Sequence, residues 1–93
     1  MVLGGELKEL EPLRHTPAGV PLMSFSILHR STQIEAGIDR RVECEVQALA
    51  LGDAALKLGG QAPGTAVRVR GFVASRGRAG RALIVHVNNV EFF

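Results

Sequence analysis

The chain has no tryptophan, no tyrosine, only four phenylalanines and a single cysteine, Cys44, in 93 residues. Each shortage excludes something. One cysteine makes no intrachain disulfide and anchors no multi-thiolate metal site, which fits a reducing compartment, by default the cytosol. No run of about 18 apolar residues occurs, so no transmembrane helix and no membrane partner is expected. The first residues, Met1 to Lys8, lack the basic-then-apolar order of a signal peptide. Aspartate occurs only at 39 and 53. Gly-x-Ser-x-Gly, phosphate-loop and zinc-ligand spacings are missing. Gly77 and Gly80 sit between arginines with no helix to follow, so they are not a dinucleotide signature. A ligand set of His29, His86 and Cys44 is a weaker reading than three ordinary strand residues. No enzyme, catalytic residue, cofactor or metal is therefore expected.

What is present is an ordinary globular composition, 46% hydrophobic and 22% charged, of a length that suits one domain over residues 1–93. The net charge of +2 is unevenly spread: residues 66–93 carry +4 and residues 1–65 carry −2. Nine of the eleven basic residues are arginine, the side chain suited to bidentate phosphate pairing and to stacking on bases.

The most informative stretch runs from Ser24 to Cys44. Met23, Phe25 and Ile27 alternate with Ser24, Ser26 and Leu28; after a polar segment, Val42, Cys44 and Val46 alternate with Glu43, Glu45 and Gln47. Period-2 alternation marks strands with one face in a core. The reading is a long hairpin whose polar loop projects into solvent. Around it, residues 2–14 read as a first strand with a bulge or bend at Gly4 and Gly5. A turn follows at residues 16–19, then a second strand over 20–31 and a third over 41–51. Asp53 is expected to cap a two-turn helix that stops at Gly59. Strands over 65–75 and 82–93 flank a loop at 76–81, with Asn88 and Asn89 breaking the last alternation. The whole is all-β: five strands with one short helix between the third and fourth, the order of the OB-fold barrel.

The fourth strand puts Val67, Val69 and Val73 on one face and Arg68, Arg70 and Phe72 on the other. Guanidinium groups beside a stacking ring hold single-stranded nucleic acid without reading its sequence. Arg76, Arg78 and Arg81 in the following loop extend that stripe. Two other readings stand beside this one. Arg68 and Arg70 also serve simply to solubilise a sheet edge, and the basic loop also suits an acidic protein partner, which makes the chain a protein-interaction module. Ile38, at the tip of the long hairpin, is an exposed apolar residue available to a base or a partner. With so few aromatics, affinity for nucleic acid must lean on phosphate contacts and fall with salt.

His29, Arg30 and Ser31, followed by Gln33, Glu35, Ala36, Gly37, Arg40 and Cys44, resemble the loop region of primosomal replication protein N, the PriB family of bacterial replication-restart proteins. The turn from Thr16 to Pro21, Gly71, Phe72 and His86 fit the same pattern, so the resemblance spans nearly the whole chain. It implies an OB-fold homodimer that binds single-stranded DNA, stimulates the primosomal helicase PriA and in some members hands over to DnaT. The family's basic DNA contacts match Arg14, Arg30 and Arg40, and the loop arginines 76, 78 and 81. Two family aromatics are replaced here, by Ile38 and by Glu43, and the basic loop is shorter. The resemblance thus implies weaker or differently placed DNA binding than the family norm.

Overall fold

The computed structural model describes residues 1–76 and 82–93, with backbone alone at 32–35, 40, 42, 76 and 82. The elements are β1 (Val2–Leu10), β2 (Arg14–His15), β3 (Pro21–Glu35), β4 (Ile38–Leu51), α1 (Asp53–Leu58), β5 (Ala66–Arg76) and β6 (Ala82–Phe92). The sheet order β1-β5-β6-β4-β3 is closed on itself by a second pairing of β1 with β3. This is a five-stranded OB-fold barrel, with α1 between the third and fourth barrel strands. Arg14, the last residue of the expected first strand, detaches from it: with His15 it forms β2, paired with Leu22 and Pro21 of β3. The irregularity expected at Gly4 and Gly5 falls instead between Leu7 and Leu10, where the β1–β3 register shifts.

Inward alternation from every barrel strand makes the core. Leu7, Phe25, Ile27, Ala48, Val67, Val69, Val85 and Val87 are buried together, and α1 adds Ala54, Ala55 and Leu58. Asp53 lies in the first turn of α1, where its carboxylate favours the helix dipole, while Gly52 takes the cap position without a side-chain bond. The buried hydroxyl of Ser26 accepts a bond from Glu9 N–H at 3.2 Å, which offsets its burial.

The polar segment expected as a loop is paired backbone. β3 and β4 stay in register from Leu22↔Leu51 out to Glu35↔Ile38, and the turn between them is Ala36 and Gly37 alone. Both have positive φ, 53° and 77°, the conformation of the two-residue hairpin turn whose twist matches its strands. The apolar alternation lapses there because the strands have left the core, and the ladder continues without it. The resulting arm explains a radius of gyration of 14.3 Å, above the roughly 12 Å expected of a compact chain this long.

β4 and β6 run parallel and pair only at Ala48↔Val85, Leu49↔His86 and Ala50↔Val87. The β3–β4 and β5–β6 hairpins therefore leave the same end of the barrel and separate beyond that short ladder. β6 carries one residue more than β5 at Asn88, since Arg70 faces Asn89 but Gly71 faces Val87. The bulge brings the His86 carbonyl so close to Gly71 that any β-carbon there would overlap it, so glycine is required.

Substituting Leu58, which is fully buried, by Ala is expected to cost about 2–5 kcal/mol. Leu56→Ala, on the exposed side of the same helix, should change stability by less than about 0.5 kcal/mol. Urea midpoints for the two variants check the pair. Equal losses would mean that α1 does not seal the barrel through Leu58.

Candidate nucleic-acid interface

On β5 the alternation puts Arg68, Arg70 and Phe72 outward and exposed, with Val67 and Val69 buried beneath. Val73, expected with the core valines, is 46% exposed. It keeps their side of the strand, opposite Val85, where the β4–β6 ladder ends. Phe72 faces His86 across the β5–β6 ladder. Their rings stack at 4.9 Å between centroids and 2° between planes. His86 in turn adjoins Leu49 of β4, and Leu49 adjoins Ser24 of β3. Arg14 reaches in from β2 and donates to the Ser24 hydroxyl at 3.3 Å. One outward row thus crosses four strands, with rings at one end and a guanidinium at the other. Beside it, the Arg68 guanidinium lies over the Phe93 ring at 4.9 Å, within cation–π range.

Among the described residues, three arginines have carboxylates close by. Arg14 lies 3.9 Å from Glu11, Arg68 lies 3.9 Å from Glu91, and Arg30 lies between Glu6 at 3.6 Å and Glu43 at 3.4 Å. All these side chains are about half exposed, and exposed pairs of this kind contribute about 0–1 kcal/mol. An arriving phosphate competes with them at small cost. Arg30 is the most encumbered, because two carboxylates share it. Arg41 shares the outward face of the arm with it by alternation and is exposed.

The arginine side chains of the expected interface that the structure describes stand at three stations. Arg68 and Arg70 stand on β5, Arg14 on β2 and Arg30 on the arm; the outward row links the first and second. Ile38 stands at the turn of the arm, 66% exposed. Arg40 occupies the backbone position opposite Gln33, and Arg76 ends β5 opposite Ala82. Arg78 and Arg81 lie outside the described residues. His29 and Cys44 are direct neighbours across β3 and β4, but Nδ1 of His29 donates to the Gly4 carbonyl at 2.6 Å. His86 belongs to the outward row instead. Among the described residues no three His, Cys, Asp or Glu side chains are placed to hold a metal ion. None of their helices is long and apolar enough to cross a membrane.

The arrangement offers flat rings and exposed guanidinium groups on one sheet face, the surface that a flexible chain of bases and phosphates requires. His86 and Phe93 were not singled out as site residues from the sequence. His86 entered the sequence reading as part of the family pattern and of a disfavoured ligand set; its place opposite Phe72 depends on the register set by the Asn88 bulge, and Phe93 is simply the last residue.

Residues 1–89 match the model of a single-strand binding protein family. The replication restart protein PriB of Nitrosomonas europaea is 36% identical over 91 residues, covering 98% of this chain and 84% of that protein. The chain belongs to the PriB family. The replication restart protein PriB of Bordetella pertussis is 44% identical over 72 residues, which cover 77% of this chain and 67% of that protein. The solved PriB structure from Ralstonia solanacearum superposes with a TM-score of 0.83 at 35% identity, covering 99% of this chain and 94% of that one. The single-stranded DNA binding protein of Thermus aquaticus shares the fold, with a TM-score of 0.76 at 20% identity over 99% of this chain and 48% of that one. The rings of this chain lie as Phe72 with His86 on β5 and β6 and Phe93 under Arg68.

A double-mutant cycle with Phe72→Ala and His86→Ala should return a coupling of about 0.5–1.5 kcal/mol in unfolding free energy, the range for stacked rings. A coupling near zero would show that the rings are adjacent but independent in solution.

Proposed function

We propose that this chain is a non-enzymatic accessory factor of replication restart that binds single-stranded DNA and stimulates the PriA helicase during primosome assembly. It works in the cytosol as a single OB-fold unit and, in partnerships like those of some relatives, with DnaT. The observation that carries the reading is the outward face of β5 and β6. There Arg68 and Arg70 stand beside the Phe72–His86 stack and the Phe93 ring, in a chain that belongs to a single-strand binding family. Arg68 and Arg70 neutralise phosphates while Phe72 carries a base. Arg14, Arg30, Arg40 and Ile38, with Arg76, Arg78 and Arg81, extend the track toward the arm and the neighbouring hairpin.

A second subunit completes the track. Val2 to Glu6 pair with β5, but pairing of β1 with β3 begins only at Glu6. The far edge of residues 2–5 thus has no strand partner among the described residues; His29 takes the Gly4 carbonyl there, and joining two such edges removes the hydrogen-bonding groups that stay open. The rival reading, a module whose basic surface docks an acidic partner, draws support from the exposed Ile38.

Titration of oligothymidylate at several salt concentrations separates the two. Affinity should fall with salt, and the slope of log K against log salt should lose about 0.7 for each phosphate contact removed by Arg68→Ala or Arg70→Ala. Glu43→Gln, which releases Arg30 from its nearer carboxylate, should tighten binding several-fold at low salt. Absence of binding at low salt, or an unchanged slope with helicase stimulation intact, would favour the docking module. Sedimentation should give twice the 9.9 kDa chain mass; a monomer at working concentration removes the shared track.

A further inference from the structure

Two openings lie beside the barrel. The first is a cleft of about 560 Å³ between the diverging hairpins, lined by Glu11, Arg14, Leu49, Ile84 and His86 among others. It follows the outward row and belongs to the surface already described. The second lies between β1 and β3. Their pairing ends at Glu6↔Leu28. At Gly5 the two strands are so close that a β-carbon would strike the Leu28 carbonyl and the Ile27 side chain. Beyond that point β3 leaves with the arm, and one edge of residues 2–5 is left without a strand.

Backbone alternation fixes which groups that edge presents. Gly71 N–H donates to the Met1 carbonyl at 3.0 Å, Leu7 N–H to the Thr65 carbonyl at 2.9 Å, and Gly64 N–H to the Leu7 carbonyl at 2.6 Å. Met1 and Leu7 thus turn their polar groups to the β5 side, and the register between them runs without a shift from Val2↔Arg70 to Glu6↔Ala66. Odd residues therefore face β5, and Val2 and Gly4 face the free edge. Of the four groups presented there, the Gly4 carbonyl accepts from Nδ1 of His29 at 2.6 Å. His29 is the first residue of β3 past the last β1–β3 pair, so its imidazole stands where the ladder stops. Neighbouring strands sit about 4.8 Å apart. A ring whose nearest atom is 2.6 Å from an edge carbonyl already occupies the lane that another strand needs.

We infer that His29 is a gate on the subunit edge, and that its ring must leave Gly4 before β1 of a second copy pairs there. The occupant is a second copy because this short edge is complementary to itself. In a two-fold antiparallel pair, Val2 of one chain meets Gly4 of the other, and four backbone bonds use every group the two edges present. A carbonyl accepts two hydrogen bonds, so what the ring excludes is the strand and not a second proton. The inference rests on the two-subunit reading above and adds its control: the gate sets the protein concentration at which the shared track forms.

Sedimentation equilibrium of the full chain over a dilution series tests it by giving the dimer dissociation constant. His29→Ala should tighten the dimer on the order of tenfold, because two modest hydrogen bonds, one per subunit, no longer have to break. His29→Phe keeps a ring without a donor and should tighten it as well, which serves if the alanine variant does not fold. His29→Asn keeps a donor near the place of Nδ1 and should stay within about threefold of the unmodified protein. Val2→Pro removes one N–H of the free edge, leaves the bonds to β5 intact, and should weaken the dimer whichever residue stands at 29. A dimer whose constant is unchanged or weakened by both His29→Ala and His29→Phe overturns the gate and spares the two-subunit reading. Lower urea stability in those variants with no change in the constant has the same meaning, since His29 is then a tie within one chain. A dimer indifferent to Val2→Pro uses another edge and also overturns the gate. Monomers throughout, in His29→Ala and His29→Phe as in the unmodified protein, overturn both.

Discussion

The three-residue parallel ladder between β4 and β6 is the constraint on which the rest depends. It closes the barrel at Ala48, Leu49 and Ala50 against Val85, His86 and Val87, and in doing so sets Leu49 beside His86 on the outer surface. Because it stops there, the two hairpins on either side separate above it and leave the cleft between them. A longer ladder would zip the hairpins together and bury that space; none at all would leave the core valines uncovered. Parallel pairing is slightly weaker per residue than antiparallel, so the closure relies on the apolar side chains packed beneath it.

The bulge at Asn88 is the second determinant of the surface. It inserts one residue into β6 and shifts the register, so that the ring of Phe72 faces the ring of His86 while Arg70 faces Asn89 and Arg68 faces Glu91. Without it, the residues of β5 would meet different partners and the ring pair would not form. Gly71 permits this by leaving room for the His86 carbonyl. A backbone accommodation thus sets which side chains are available at the surface. Electrostatics then modulates the result: each carboxylate near Arg14, Arg30 or Arg68 weakens the local positive field, yet at half exposure none fixes its arginine firmly.

Much of the fold was legible along the chain because burial on one strand face imposes period-2 alternation. That signal located β3, β4 and β5, while Asp53 and Gly59 marked the ends of the helix between the third and fourth barrel strands. It failed at Thr32 to Glu35, where strands leave the core and alternation carries no free-energy reward, so paired backbone read as a loop. It also joined Arg14 to the first strand, since nothing local marks a switch from one partner strand to another. Among the site residues, the outward set of Arg68, Arg70 and Phe72 followed from alternation alone. The carboxylates around Arg30 did not, because Glu6 and Glu43 come from two different strands.

The amino-acid sequence by itself determined the class of surface: arginine in place of lysine, scarce rings, one cysteine and a positive last third, on strands whose inward residues are apolar. Composition and local alternation suffice for that, since each depends only on a residue and its near neighbours. Only the tertiary structure decided that Arg14 reaches Ser24, that His86 stacks on Phe72, and that Glu11 and His86 line one cleft. Those relations depend on strand register and barrel closure, which bring together residues as far apart in the chain as 11 and 86. No local pattern encodes such distances.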